Sequence, residues 1–120
     1  MDVRNIEHVE PFTTKDGSEI RELLAYRNSC IKNQSLAEAR LPMGTATTRH
    51  RHPKTEEIYY ILEGRGLMEI NAETRQVGPG DAIAIPPGAL HQIINDGHQT
   101  LKFLCCCAPC YEHEDTVLEE

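Results

Sequence analysis

Turn-forming residues divide this chain into short pieces, and that division constrains its fold more than any other feature. From Gly44 onward the signals are Gly44, Pro53, Gly64, Asn71-Ala72-Glu73-Thr74, Gly78-Pro79-Gly80-Asp81, Pro86-Pro87-Gly88 and Asp96-Gly97. Between them lie Glu57 to Leu62, Gly66 to Ile70, Ala82 to Ile85, Gln92 to Ile94 and Thr100 to Cys107. These pieces are short and rich in strand formers. Such a series predicts an all-β sandwich or barrel. Upstream, Asp16-Gly17 is a turn signal, Glu19 to Ala25 fits either a strand or a short helix, Tyr26 to Gln34 reads as a loop, and Ser35 to Leu41 alternates weakly. Ala82 to Ile85 is expected to be a short buried strand.

Histidines fall at fixed distances from these turns. One block reads Gly44, five residues, His50, one residue, His52, four residues, Glu57, six residues, Gly64. The next reads Gly80, five residues, Pro86, one residue, Gly88, two residues, His91, three residues, Asn95. Residues two apart on a strand share a face, so His50 and His52 can hold one ion together while Arg51 points away. A hairpin through the polar stretch Pro53-Lys54-Thr55-Glu56 would return Glu57 beside the pair, and His91 would enter from a second strand pair. Glu56 has the wrong parity relative to Tyr59 and Ile61 and is expected in solvent.

Together the two blocks resemble the paired motifs of the cupin superfamily, with all ten defining positions matched between Gly44 and Asn95. The resemblance implies a single-domain jelly-roll (double-stranded β-helix) barrel over residues 35–110, an N-terminal segment 1–34 packing on the barrel or on a dimer partner, and an acidic tail 111–120. It also implies that His50, His52, Glu57 and His91 ligate one divalent transition metal. Three imidazoles and a carboxylate suit zinc, iron, manganese, nickel or copper alike. Two positions of an octahedron would stay open for water, dioxygen or substrate. The activities implied are those of dioxygenases, acid decarboxylases, sugar isomerases and epimerases, and polyketide cyclases. Some cupin-like domains bind ligands without turnover, so a metal-dependent binding or sensing module is the alternative. Small cupins often pair, so a homodimer is expected.

Composition narrows the partners. The formal net charge of -7 disfavours nucleic acid and anionic membrane. No apolar run reaches the length of a membrane span, and the N-terminus shows no secretory pattern, so a cytoplasmic protein with a small-molecule ligand is expected. No serine nucleophile elbow, phosphate loop or dinucleotide fingerprint is present. Tyr59 shares the parity of Glu57 and is a candidate to line the pocket, as are Phe103 and Cys105. The five cysteines Cys30, Cys105, Cys106, Cys107 and Cys110 are odd in number, which argues against a disulfide framework. Cys105 and Cys107 should share one strand face; free cysteines are read mainly as small buried hydrophobes, and Cys110, after Pro109, is the one to test for reactivity. Arg40, Arg49, Arg51, His8 and His98 are expected at the surface, as is the tail Tyr111 to Asp115.

Overall fold

The computed structural model of the chain describes residues 1–119. Its strands are β1 (Phe12–Thr13), β2 (Glu19–Leu24), β3 (Ser35–Leu41), β4 (His50–Arg51), β5 (Glu56–Glu63), β6 (Gly66–Ile70), β7 (Glu73–Val77), β8 (Ala82–Ile85), β9 (His91–Ile94), β10 (Leu101–Ala108) and β11 (Val117–Leu118). Helix among the described residues is limited to single 3-10 turns at Ile6–His8 and His113–Asp115. The strands form two antiparallel sheets, one ordered β1-β2-β3-β10-β5-β8 and the other β11-β4-β9-β6-β7. This is the all-β architecture that the turn spacing predicts and the jelly roll that the family resemblance implies. The ambiguous segment after Gly17 is the strand β2.

Alternation along the strands builds the core. On β5, Glu57, Tyr59 and Ile61 point between the sheets while Ile58, Tyr60 and Leu62 point out. On β10, Leu101, Phe103, Cys105 and Cys107 point inward. Phe103, Leu41, Ile61, Ile93 and Leu101 are fully buried and meet across the gap. Each such side chain contributes roughly 1.5–3 kcal/mol of burial free energy. Conserving this parity also fixes which polar residues enter the interior, because a one-residue slip would reverse every face.

Two motif glycines are needed for their backbones. Gly64 turns β5 into β6 at φ +82°, and a Cβ there would meet Thr100 O at 2.8 Å. Gly88 has φ +80° and donates its N–H to His52 O at 2.9 Å, so the turn leading to His91 is tied to the end of the first histidine block. The motif asparagine, Asn95, is buried and donates to Leu41 O and Gln99 O at 2.9 and 2.8 Å. It ties the end of β3 to the turn before β10 rather than reaching the histidines.

Several expectations are revised. β4 and β5 lie in opposite sheets, so Glu57 faces the histidines across the interior instead of returning beside them in a hairpin. The link between them is held by Asp115, whose carboxylate accepts from Lys54 N and Thr55 N. β7 escapes the sequence reading because an edge strand needs few apolar residues, and only Val77 of Glu73–Val77 is buried. β8 is not buried throughout, since Ala82 and Ala84 face outward. The segment read as a solvated acidic tail folds back: β11 pairs with β4, and Thr116 is buried. Cys110 is buried as well and donates to Gln34 O at 2.9 Å, which argues against a reactive thiol there. Cys30 is the exposed cysteine.

Candidate metal centre

His50 opens β4 and His91 opens β9, and the two are directly paired in the five-stranded sheet. Their ring centroids are 4.2 Å apart, and His52 lies 5.0 Å from His50 and 5.5 Å from His91. One ring nitrogen from each lies within 4.8 Å of the others. Glu57 approaches from the six-stranded sheet. Its Oε1 is 3.4 Å from His52 Nε2 and 3.6 Å from His91 Nε2. All four residues are buried. Glu56 is exposed, as its parity requires.

Hydrogen bonds fix the tautomers. His50 Nδ1 lies 2.7 Å from Thr48 O, and His91 Nδ1 lies 2.9 Å from Ala89 O. A carbonyl only accepts, so both Nδ1 atoms carry the proton and both Nε2 atoms carry a lone pair in the neutral rings. Thr116 Oγ1 donates to Glu112 O and sits 3.3 Å from His52 Nδ1, which therefore donates to it. The Nε2 lone pairs of His52 and His91 thus face one carboxylate oxygen, with a ring nitrogen of His50 within 4.8 Å of one from each of the other two rings. Glu57 Oε1 and His91 Nε2 are buried with no hydrogen-bond partner. An unsatisfied buried polar atom costs about 1–3 kcal/mol. Converging lone pairs with no donor between them are relieved by a cation, and a donor set of imidazoles and carboxylate fits a divalent transition ion.

Charge responds to this crowding. Burial lowers the pKa of His50, with His91 adding to the effect, so the ring is kept neutral. Burial also opposes charge on His52, but the nearby Glu57 carboxylate, which would accept from the protonated ring, outweighs it and raises the pKa. Burial disfavours the Glu57 carboxylate, yet the adjacent His52 and His91 rings, which would donate to it when protonated, pull its pKa down to about 2. Without a cation, a proton on His52 is thus more favoured than on a free imidazole.

Two features go beyond the sequence reading. Cys107 pairs with Glu57 in register, and its thiol donates to Glu57 Oε2 at 3.2 Å. Burial, reinforced by the Glu57 charge, raises the Cys107 pKa, so the sulfur stays a donor. Asp16, read only as half of a turn signal, places Oδ2 3.3 Å from His50 Nε2. Spacing to the histidine blocks carries no sign of it, because the β1–β2 loop is far away in sequence.

A narrow cavity of ≈ 40 Å³ opens beside this cluster, lined by Asp16, His50, His52, Glu57, Tyr59, Phe103, Cys105 and Tyr111 among others. That is room for about three waters or a ligand of a few heavy atoms. Tyr59 stacks on Phe103 with centroids 4.6 Å apart. Burial and the Glu57 charge raise its pKa well above 10, so its hydroxyl remains protonated. Arg49 and Arg51 are kept out, with Arg49 paired to Glu69 at the surface. Arg40 is half-buried on the outer face, paired with Glu38 at 2.6 Å.

Two stacked antiparallel sheets with three histidines gathered between them define a jelly-roll protein with a candidate metal site. The chain belongs to the cupin family: the family model described as a cupin domain matches residues 37–107. An uncharacterized protein of Methanocaldococcus jannaschii is 53% identical over 112 residues, covering 93% of this chain and 90% of that protein. The oxalate-binding protein of Thermotoga maritima is 34% identical over 86 residues, covering 72% of this chain and 71% of that protein. A solved structure of a predicted oxalate decarboxylase from Thermotoga maritima is 28% identical with a TM-score of 0.78, covering 90% of this chain and 99% of that chain. No helix among the described residues is long and apolar enough to cross a membrane.

Proposed function

We propose that this protein is a metal-dependent cupin enzyme acting on a compact, oxygen-rich small molecule. His50, His52, Glu57 and His91 would hold one divalent transition ion. The observation that carries the reading is the set of opposed lone pairs: three Nε2 atoms with fixed tautomers, and a buried Glu57 oxygen 3.4 and 3.6 Å from two of them. Bound there, a divalent ion supplies Lewis-acid polarisation of a carbonyl, carboxylate or hydroxyl oxygen. Cys107 holds the second Glu57 oxygen, Thr48 and Ala89 orient two of the imidazoles, and Tyr59 offers a protonated hydroxyl at the cavity wall.

Cavity size supports a substrate class: room for about three waters suits a small carboxylic or keto acid better than a flavonol-sized ring system. Likeness to the Thermotoga maritima oxalate-binding protein supports the same class. That protein's name also supports the second reading, a module that binds such an acid without turnover. The two are separated by incubating metal-loaded protein with oxalate, short keto acids, sugars and flavonols. Product that vanishes on chelation supports the enzyme, whereas thermal stabilisation without product supports the binder. The five thiols, unpaired with one another, suit a reducing compartment such as the cytoplasm.

Pairing of two copies is proposed through the outer face of the six-stranded sheet. Register aligns Cys106, Ile58 and Ala84 in one row and Leu104, Tyr60 and Ala82 in the next. Ile58, Tyr60 and Leu62 are all exposed. A contiguous apolar sheet face of this kind marks an interaction surface, and a second copy would bury it isologously.

A further inference from the structure

We propose that Asp16 is a fifth protein ligand of the metal centre, delivered by the loop between β1 and β2. The inference rests on the metal-binding reading above and extends it to a residue outside both histidine blocks. The two carboxylate oxygens of Asp16 have separate duties. Oδ1 accepts three hydrogen bonds inside the loop, from Thr14 Oγ1 at 2.6 Å, Ser18 N at 2.9 Å and Ser18 Oγ at 2.7 Å. Oδ2 accepts none of them and instead lies 3.3 Å from His50 Nε2. His50 Nδ1 already donates to Thr48 O, so the neutral ring meets Oδ2 with a lone pair. This is a second opposition of acceptors, here between one acid and one ring. Ligand atoms at right angles on an ion with bonds of about 2.1 Å are about 3.0 Å apart, so the 3.3 Å between Asp16 Oδ2 and His50 Nε2 fits these two as neighbours on one ion.

The loop is held where this requires. Thr48 N donates to Asp16 O at 2.8 Å, and Thr48 O orients His50. Lys15 Nζ donates to His113 O and Thr116 O, joining the loop to the segment that orients His52. A turn cap needs only one oxygen, and Oδ1 supplies it; capping alone gives no role to Oδ2. Asp16 flanks His50, whereas Glu57 flanks His52 and His91, so the two acids approach different members of the triad. With two carboxylates the loaded centre would be electrically neutral, and an octahedral ion would keep one position for an exchangeable ligand instead of two.

The test compares wild type with Asp16→Asn, which is nearly isosteric. Asn keeps its oxygen toward Ser18 N–H, because flipping would oppose two donors, so its NH₂ is turned to the ion. Metal-free proteins are titrated with Mn²⁺ by calorimetry, and water-proton relaxivity of the loaded forms reports the number of bound waters. Apo thermal stability checks folding, and Asp16→Ser serves as a second variant should Asn unfold. The expected result is one Mn²⁺ per wild-type chain, affinity at least about 10-fold weaker in the variant, and a rise in relaxivity matching one additional water. A folded variant with wild-type affinity and relaxivity overturns the role of Asp16 and leaves the four-ligand centre standing. Wild type that binds no Mn²⁺, Co²⁺ or Zn²⁺ overturns both.

Discussion

Replacing Cys107 with alanine tests how the interior prepares Glu57. Cys107 is 4% exposed, and its thiol is the protein donor to Glu57 Oε2, at 3.2 Å. Losing a hydrogen bond to a buried charged acceptor costs about 1.5–3 kcal/mol, with a thiol at the lower end. Deleting one buried heavy atom adds about 1 kcal/mol. The metal-free variant should therefore lose about 2–3 kcal/mol in urea denaturation, with m unchanged. A carboxylate freed at one oxygen is also less well aimed, so metal affinity should fall about 10–100-fold. Cys107→Ser restores a donor and should recover most of that affinity while remaining slightly less stable than wild type. Isothermal titration with Zn²⁺ or Co²⁺ reads the second quantity. If the alanine variant binds the ion as tightly as wild type, the thiol does not position Glu57 and the argument for it fails. If serine and alanine weaken binding equally, packing rather than hydrogen bonding is responsible.

His52→Ala should abolish stoichiometric metal binding with the sheet structure retained by circular dichroism, since His52 closes the site without contributing to the main apolar cluster. Metal-induced thermal stabilisation should be small at pH 6 and large at pH 8. Glu57, lowered to about 2, stabilises the apo protein above about pH 4.3 and loses that contribution as pH falls toward 2; His52, raised, stabilises it below about pH 6.5 and loses that contribution as pH climbs through its folded value. The metal needs neutral rings, so it gains as the apo pair fades, and a metal-induced shift that does not grow between the two values would contradict the coupling. Tyr60→Glu should shift the protein to monomer in sedimentation, because it places a charge in the middle of the Leu104-Tyr60-Ala82 row; an unchanged sedimentation coefficient, or a wild type already monomeric, removes that face as the interface.

Much of this architecture is written locally. Gly64, Gly88 and the Pro86-Pro87 turn dictate where strands stop, and two-residue parity from Glu57 picks out Tyr59 and Ile61 as the inward side chains of an otherwise apolar run. The gathering of His50, His52 and His91 could be anticipated because their spacing to those turns is fixed. What was not legible depends on contacts distant in sequence. Asp16 reaches His50 only because the β1–β2 loop is tied to Thr48, and Thr116 reaches His52 only because β11 returns to β4. Cys107 acquires its role from the strand register with Glu57, which no motif encodes. β7 was hidden by its own chemistry, since a polar edge strand looks like a loop until it has a neighbour. Cys110 follows a proline at the end of β10, and its burial depends on the distant segment before β3, where its thiol donates to Gln34 O.

The account turns on whether three imidazoles and an acid grip one ion. X-ray absorption on protein loaded with one equivalent of Co²⁺ addresses this most directly. The prediction is a single bound ion per chain with scattering from three imidazole rings and the remaining positions filled by oxygen. An ion bound without imidazole scattering, or one that washes away at equimolar loading, would contradict it.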